Sequence, residues 1–239
     1  MPKTWKAALS SYRYPVTRLF SDASKYPQWQ HQPRLPEGDR SETMAFEAYF
    51  RASGQSAIVP WAQVVFWKLV RGGNADTRTR EILNRWKGTR PQTLWEALTA
   101  YIEQPAEVKF DSFRSLFGFE GKGIAVVATF PAFVAPDRFP MVDQQIAKWV
   151  QNHCAAQNAA DPIGPRLEPT SHNYVLSPKY ILKMRDFSFM QHWTAWCCHT
   201  GQKLAVLTGE EWRARDVEMA VFQAQRDSLH LNPLPPPPS

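Results

Sequence analysis

The chain has 239 residues and is 44% hydrophobic, enough to bury one large core or two small ones. Its 28 Lys and Arg against 22 Asp and Glu leave a formal charge of +6 and a pI near 9.3, which suits a phosphate-bearing partner without requiring one. Three cysteines, two of them adjacent, give no disulfide framework, and without CxxC or HxxxH spacing no metal centre is expected.

Residues 1–42 are rich in Pro, polar and aromatic residues, and "YPQWQHQPRLPEGD" reads as part of an extended arm. A helical domain is expected over 43–158. Its first helix, "SETMAFEAYFRAS", opens near Ser41 and stops at Gly54. "SAIVPWAQVVFWKLV" is strongly apolar, with Pro60 in its first turn. "NADTRTREILNRWK" is charged and amphipathic. "RPQTLWEALTAYIEQ" starts near Pro91 and places Leu94, Leu98 and Ile102 four residues apart. "PAEVKFDSFRSLFGF" repeats the pattern with Val108, Phe110, Phe113 and Phe117. "GKGIAVVATFPAFV" and "VDQQIAKWVQNHCAAQ" follow. Further helices over 178–199 and 209–226 fall in a C-terminal region, 159–228, and the tail 229–239 reads as Pro-rich and disordered. Alternating strand patterns are short throughout, so the fold class is all-α, with about nine helices.

The tryptophans at helical spacing, Trp61 and Trp67 among them, read as core. Arg213 and Arg215 suit ion pairs or phosphate contacts, and Lys179, Lys183 and Arg185 form another basic run. No apolar run is long enough to cross a bilayer. "MPKTWKAALSSYRYP" lacks the apolar core of a secretory signal. The expected setting is intracellular: the cytoplasm, and the nucleoid if the source is bacterial.

The chemistry-bearing stretch is "SFRSLFGFEGKGIAVVATF". Gly118, Gly121 and Gly123 suit a tight turn between two helices. Free N–H groups at the following helix would accept a phosphate. Lys122 stands where the positive end of a helix lowers an amine pKa, which favours a nucleophilic role. Asp143, in "FPMVD", is either a helix N-cap or an activating carboxylate, and the two roles are compatible.

This stretch resembles the helix-hairpin-helix DNA glycosylase superfamily, the endonuclease III and 8-oxoguanine glycosylase group. Leu116, Gly118, Phe119, Lys122 and Ala125 follow in the order of its hairpin, and "FPMVDQQIAKWV" is similar to its Pro-Val-Asp segment. "FEAYFRASGQSAIVPW" is similar to its first core helix, with Ser53 and Gln55 in place. The hairpin is longer by one residue: Glu120 stands where the second glycine belongs, counting from Gly118.

The resemblance implies two helical subdomains around a cleft. It implies a DNA base-excision enzyme that breaks the N-glycosidic bond of a damaged base in duplex DNA, with or without lyase activity. Lys122 and Asp143 would be catalytic, Gly118, Gly121 and Gly123 would hold DNA phosphate, and Ser53 and Gln55 would line the base pocket. No cofactor is expected, and the protein is expected to act as a monomer. Two other functions fit the sequence: a non-catalytic DNA-binding protein on the same fold, and a helical interaction protein without nucleic acid.

Overall fold

The computed structural model describes residues 2–15, 37–70, 75–118, 123–174, 176–177 and 179–235. Among these the fold is all-α. The described strands are one short antiparallel pair, Tyr14–Pro15 (β1) with Glu37–Gly38 (β2), in register Tyr14 to Gly38. The chain divides into two compact units.

One unit comprises residues 13–120 and 129–134. Its helices are α2 (Arg40–Ser53), α3 (Val59–Leu69), α4 (Ala75–Arg85), α5 (Pro91–Glu103), α6 (Glu107–Ser115) and α7 (Thr129–Val134). Asp39, not Ser41, caps α2: its carboxylate accepts from the Glu42 N–H at 3.1 Å. Pro60 and Pro91 occupy first turns, where no helical N–H is lost. The core is aromatic. Trp61 stacks on Phe130 at 4.9 Å and meets Phe50 and Phe113 edge-on at 5.1 and 6.2 Å. Its indole N–H donates to Gly54 O at 2.6 Å, so this large side chain is buried with its polar atom satisfied. Trp67 packs on Tyr14 and donates to Pro15 O at 3.0 Å, which ties β1 to α3.

The other unit comprises residues 1–12, 121–128 and 135–239. It contains α1 (Pro2–Ser10), α8 (Gln144–Ala160), a 3-10 turn (Met184–Asp186), α9 (Phe187–Thr208) and α10 (Ala214–Asp227). Residues 2–10 are helical where an extended arm was expected. Trp5 and Ala8, three residues apart, are fully buried, and Tyr12 beyond the helix end is buried too. Trp5 packs on Trp196 at 6.3 Å and Tyr12 on Phe222 at 6.2 Å, contacts that make this short helix worthwhile.

The C-terminal stretch also departs from expectation. Leu231 and Leu234 are buried, so ordered chain runs beyond 228, up to Pro235. Apolar burial of this kind is worth about 2 kcal/mol per leucine and outweighs the pull of proline toward a free tail.

At the start of α10, the N-cap residue Arg213 pairs with Asp216 through Nη2 at 2.9 Å and Arg215 pairs with Glu218, all four side chains being buried. The N–H groups of Ala214 and Arg215 reach Asp137 O and Pro136 O at 3.4 and 3.0 Å, which satisfies the start of that helix. Both arginines serve ion pairs here.

Candidate functional site

Asp143 is placed by a buried run. The Phe139 N–H bonds Ala135 O at 2.9 Å, and Phe139, Met141 and Val142 are buried. Trp193 of α9 donates its indole N–H to Met141 O at 2.8 Å. This anchored segment delivers Asp143 in extended backbone to the first turn of α8, half-exposed. Its Oδ1 accepts from the N–H groups of Gln145 at 2.9 Å and Ile146 at 3.0 Å. Asp143 is therefore an N-cap, and the cap fixes the carboxylate rotamer.

Gly123 lies in the same unit. The next residue, Ile124, donates its N–H to Leu182 O at 2.9 Å. A Cβ on Gly123 would stand 2.5 Å from Ile181 Cγ2 and 3.2 Å from Leu182 O. Glycine is needed here for close approach. Beyond it the chain makes turns over 125–128 before α7, a shorter helix than the pattern from Gly121 onward suggested. Gly121 and Lys122 lie outside the described residues.

Residues 170–174 and 179–183 pack against both features. Gln151, two turns into α8 from Asp143, accepts the Tyr174 N–H at 3.0 Å and donates to Asn173 Oδ1 at 3.3 Å. Tyr174 is buried. Its phenol is pushed up, first by burial and then by negative charge at Asp186, Tyr180 and Asp143. His172 stacks on Tyr180 at 3.9 Å and meets Tyr174 edge-on at 4.8 Å. Gln151, Tyr174 and Trp193 were not singled out from the sequence. Tyr174 sits in a Pro- and Gly-rich stretch, and nothing in the spacing of Gln151 marks it.

Three candidates belong to the other unit. Gly118 adopts φ +64° just past α6. Arg85 lies against it and donates through Nη2 to Ser115 O at 3.3 Å, while Trp86 donates to Leu116 O at 2.8 Å. Gly118 thus closes the carbonyl end of α6, the ordinary work of a left-handed glycine. Ser53 ends α2, and its hydroxyl donates to Tyr49 O at 2.6 Å. Gln55 is exposed in the following turn.

A second polar cluster lies in the same unit as Asp143. Asp161 Oδ2 accepts from His199 Nε2 and Lys203 Nζ, both at 2.7 Å, and Lys203 also donates to Leu234 O at 3.2 Å. A cavity of ≈ 270 Å³ opens between α8 and the end of α10, with Trp149, His153, Ser228 and His230 among its walls. Its described walls carry no carboxylate or thiol. The three cysteines are free. Among the described residues no group of three His, Cys, Asp or Glu could hold a metal ion, and no helix is long and apolar enough to cross a membrane. No protein-family model, curated protein or solved structure matches the chain.

Proposed function

We propose that this protein is a helix-hairpin-helix-like DNA base-excision protein that hydrolyses the N-glycosidic bond of a damaged base in duplex DNA. The observation that carries this reading is the presentation of Asp143: a half-exposed carboxylate, fixed at the head of α8 by a buried Phe-Pro-Met-Val run, in one unit with Gly123. A fixed carboxylate stabilises the cationic sugar that forms as the base departs, and it orients the attacking water. In a lyase variant of the scheme, the Lys122 amine displaces the base at the sugar carbon. Ring opening then gives an iminium, loss of a C2′ proton expels the 3′-phosphate and breaks the strand, and water hydrolyses the remaining iminium to an aldehyde and returns the amine. Backbone N–H groups at Gly121 and Gly123 would hold phosphate; the Gly118 N–H is already given to Ser115 O at 3.1 Å. The protein would act in the cytoplasm as a monomer.

The test is base release from a panel of lesion-bearing duplexes, with borohydride trapping of covalent adducts. Wild type is expected to release at least one base. Asp143→Asn keeps the cap and is expected to lose release, whereas Asp143→Ala should also lose about 1 kcal/mol of stability. Lys122→Ala should abolish any trapped adduct. An untrappable protein whose activity is unchanged by Lys122→Ala takes that lysine out of the scheme.

A non-catalytic DNA-binding protein is the second reading. It is favoured by Glu120, an acidic residue where the hairpin would meet phosphate. It is the answer if no lesion is processed but salt-sensitive DNA binding persists in Asp143→Asn. Absence of any DNA affinity at low salt would leave a helical interaction protein.

A further inference from the structure

The basic run over 179–186 is unused by the scheme above. Its pattern reads as helix, yet the chain reaches Lys183 without one and then makes the 3-10 turn Met184–Asp186. Burial alternates along it. Lys179, Ile181, Lys183 and Arg185 are exposed, Leu182 and Asp186 are buried, and Tyr180 and Met184 lie between. In extended chain, alternate side chains share a face at about 7 Å spacing. Lys179 and Lys183, four residues apart, are therefore about two such steps from one another, and Arg185 follows in the 3-10 turn.

The exposed row is held from beneath. Asp186 Oδ2 accepts the Lys183 N–H and the Tyr180 O–H, both at 2.8 Å. The Tyr180 oxygen accepts from Arg185 Nε at 2.8 Å, and the guanidinium carbon lies 5.3 Å from the ring centroid. His172 covers the same ring, and Leu182 O takes the Ile124 N–H next to Gly123. Asp186, the acidic residue of this segment, is buried and occupied by those bonds. Among the described residues, neither Lys179 nor Lys183 has an ion-pair partner. Their charge is not neutralised by the protein.

We propose that Lys179, Lys183 and Arg185 form a phosphate track beside Gly123 that grips one strand of duplex DNA. The inference rests on the DNA reading and names a contact surface outside the hairpin. Lys179 and Lys183, whose charge no ion pair neutralises, would release counterions when they meet phosphate. Ile181, 62% exposed, stands in the row and would lie along sugar. An anionic membrane surface has the same charge chemistry. It is disfavoured because stable attachment needs a broad apolar helix face or a lipid anchor, and this row offers a single exposed isoleucine.

The test is duplex DNA binding by the full chain, followed by fluorescence anisotropy across a salt series. The Lys179→Ala/Lys183→Ala double variant removes two cations and no packing, so its unfolding midpoint should match wild type. Its log–log salt slope should be shallower by about 2, with affinity at least about tenfold weaker. Lys87→Ala/Lys109→Ala, an equal charge change in the other unit, should leave the slope less affected. Equal slopes for wild type and the Lys179/Lys183 variant overturn the track but leave the DNA reading standing. No binding of wild type to duplex at low salt overturns both. Binding to phosphatidylserine vesicles in preference to duplex, lost in the double variant, overturns the track in favour of a membrane surface.

Discussion

Lys203 Nζ lies 2.7 Å from Asp161 Oδ2, and the lysine side chain is only 6% exposed. The same ammonium donates to Leu234 O. One buried cation therefore joins the end of α8, the middle of α9 and the C-terminal stretch. Lys203→Met removes the charge and leaves both a carboxylate and a backbone carbonyl short of a donor. The expected loss is about 3 kcal/mol in denaturant unfolding, with little change in the slope against denaturant.

Asp161 also predicts an acid limb. Burial raises its pKa, but hydrogen bonds from Lys203 and His199, and then their charges, outweigh burial and hold it below the ordinary aspartate value. A lowered folded-state pKa adds stability above the unfolded value and loses it as pH falls through the folded one. Stability from this group should be constant above about pH 5 and should decline below about pH 4. Asp161→Asn should be less stable at neutral pH and should show a flatter acid limb in pH-dependent thermal melts. An acid limb identical to wild type would remove Asp161 as its source.

Two glycines of similar backbone conformation should respond differently to alanine. Gly118 and Gly88 both have positive φ, +64° and +87°. A Cβ at Gly88 meets nothing within 4 Å, whereas at Gly118 it would stand 2.6 Å from Arg85 Nη1. Gly88→Ala should cost about 1 kcal/mol from the left-handed backbone alone. Gly118→Ala should cost more, because Arg85 must leave Ser115 O. In Arg85→Ala the extra cost should vanish, which a double-mutant cycle in urea measures.

Gly123 offers a comparable cycle at the candidate site. Gly123→Ala drives a Cβ into the branched methyl of Ile181. The backbone must shift, and the Ile124 N–H to Leu182 O bond is the contact at risk. A loss of about 1–3 kcal/mol is expected. Because Ile181 is largely exposed, Ile181→Ala should cost little by itself and should restore most of the stability of Gly123→Ala. No rescue would mean that the clash with Leu182 O decides.

The helices over 40–115 were legible because their apolar residues recur with one helical period and their breaks fall at Pro and Gly. Leu94, Leu98 and Ile102 are buried as that spacing implies. Asp143 was legible as a cap because aspartate before a periodic run is a local signal. The start of α9 was not. Tyr180, Met184 and Phe187 also fit a helical period, but Asp186 captures the Lys183 N–H, so the helix begins only at Phe187. Its end lay beyond the expected 199 for a tertiary reason. Gly201 stands inside α9, where a Cβ would come 2.9 Å from Trp212 O, and the real stop is Gly209 at φ +66°. Helix α1 was illegible because its stability comes from partners far along the chain. The docking of Tyr174 on α8 depends likewise on Gln151, whose role no local pattern encodes.

That distance along the chain has a consequence for biosynthesis. Trp5 donates its indole N–H to Asn232 O at 2.9 Å, across 227 residues. At ribosomal rates of about 5–20 residues per second, the partner emerges roughly 10–45 s after Trp5 does. Until then the apolar face of α1, with Trp5, Ala8 and Tyr12, has nowhere to dock on α10. The nascent chain must carry that sticky face while those 227 residues are made, so its yield should depend on holdase chaperones that shield it.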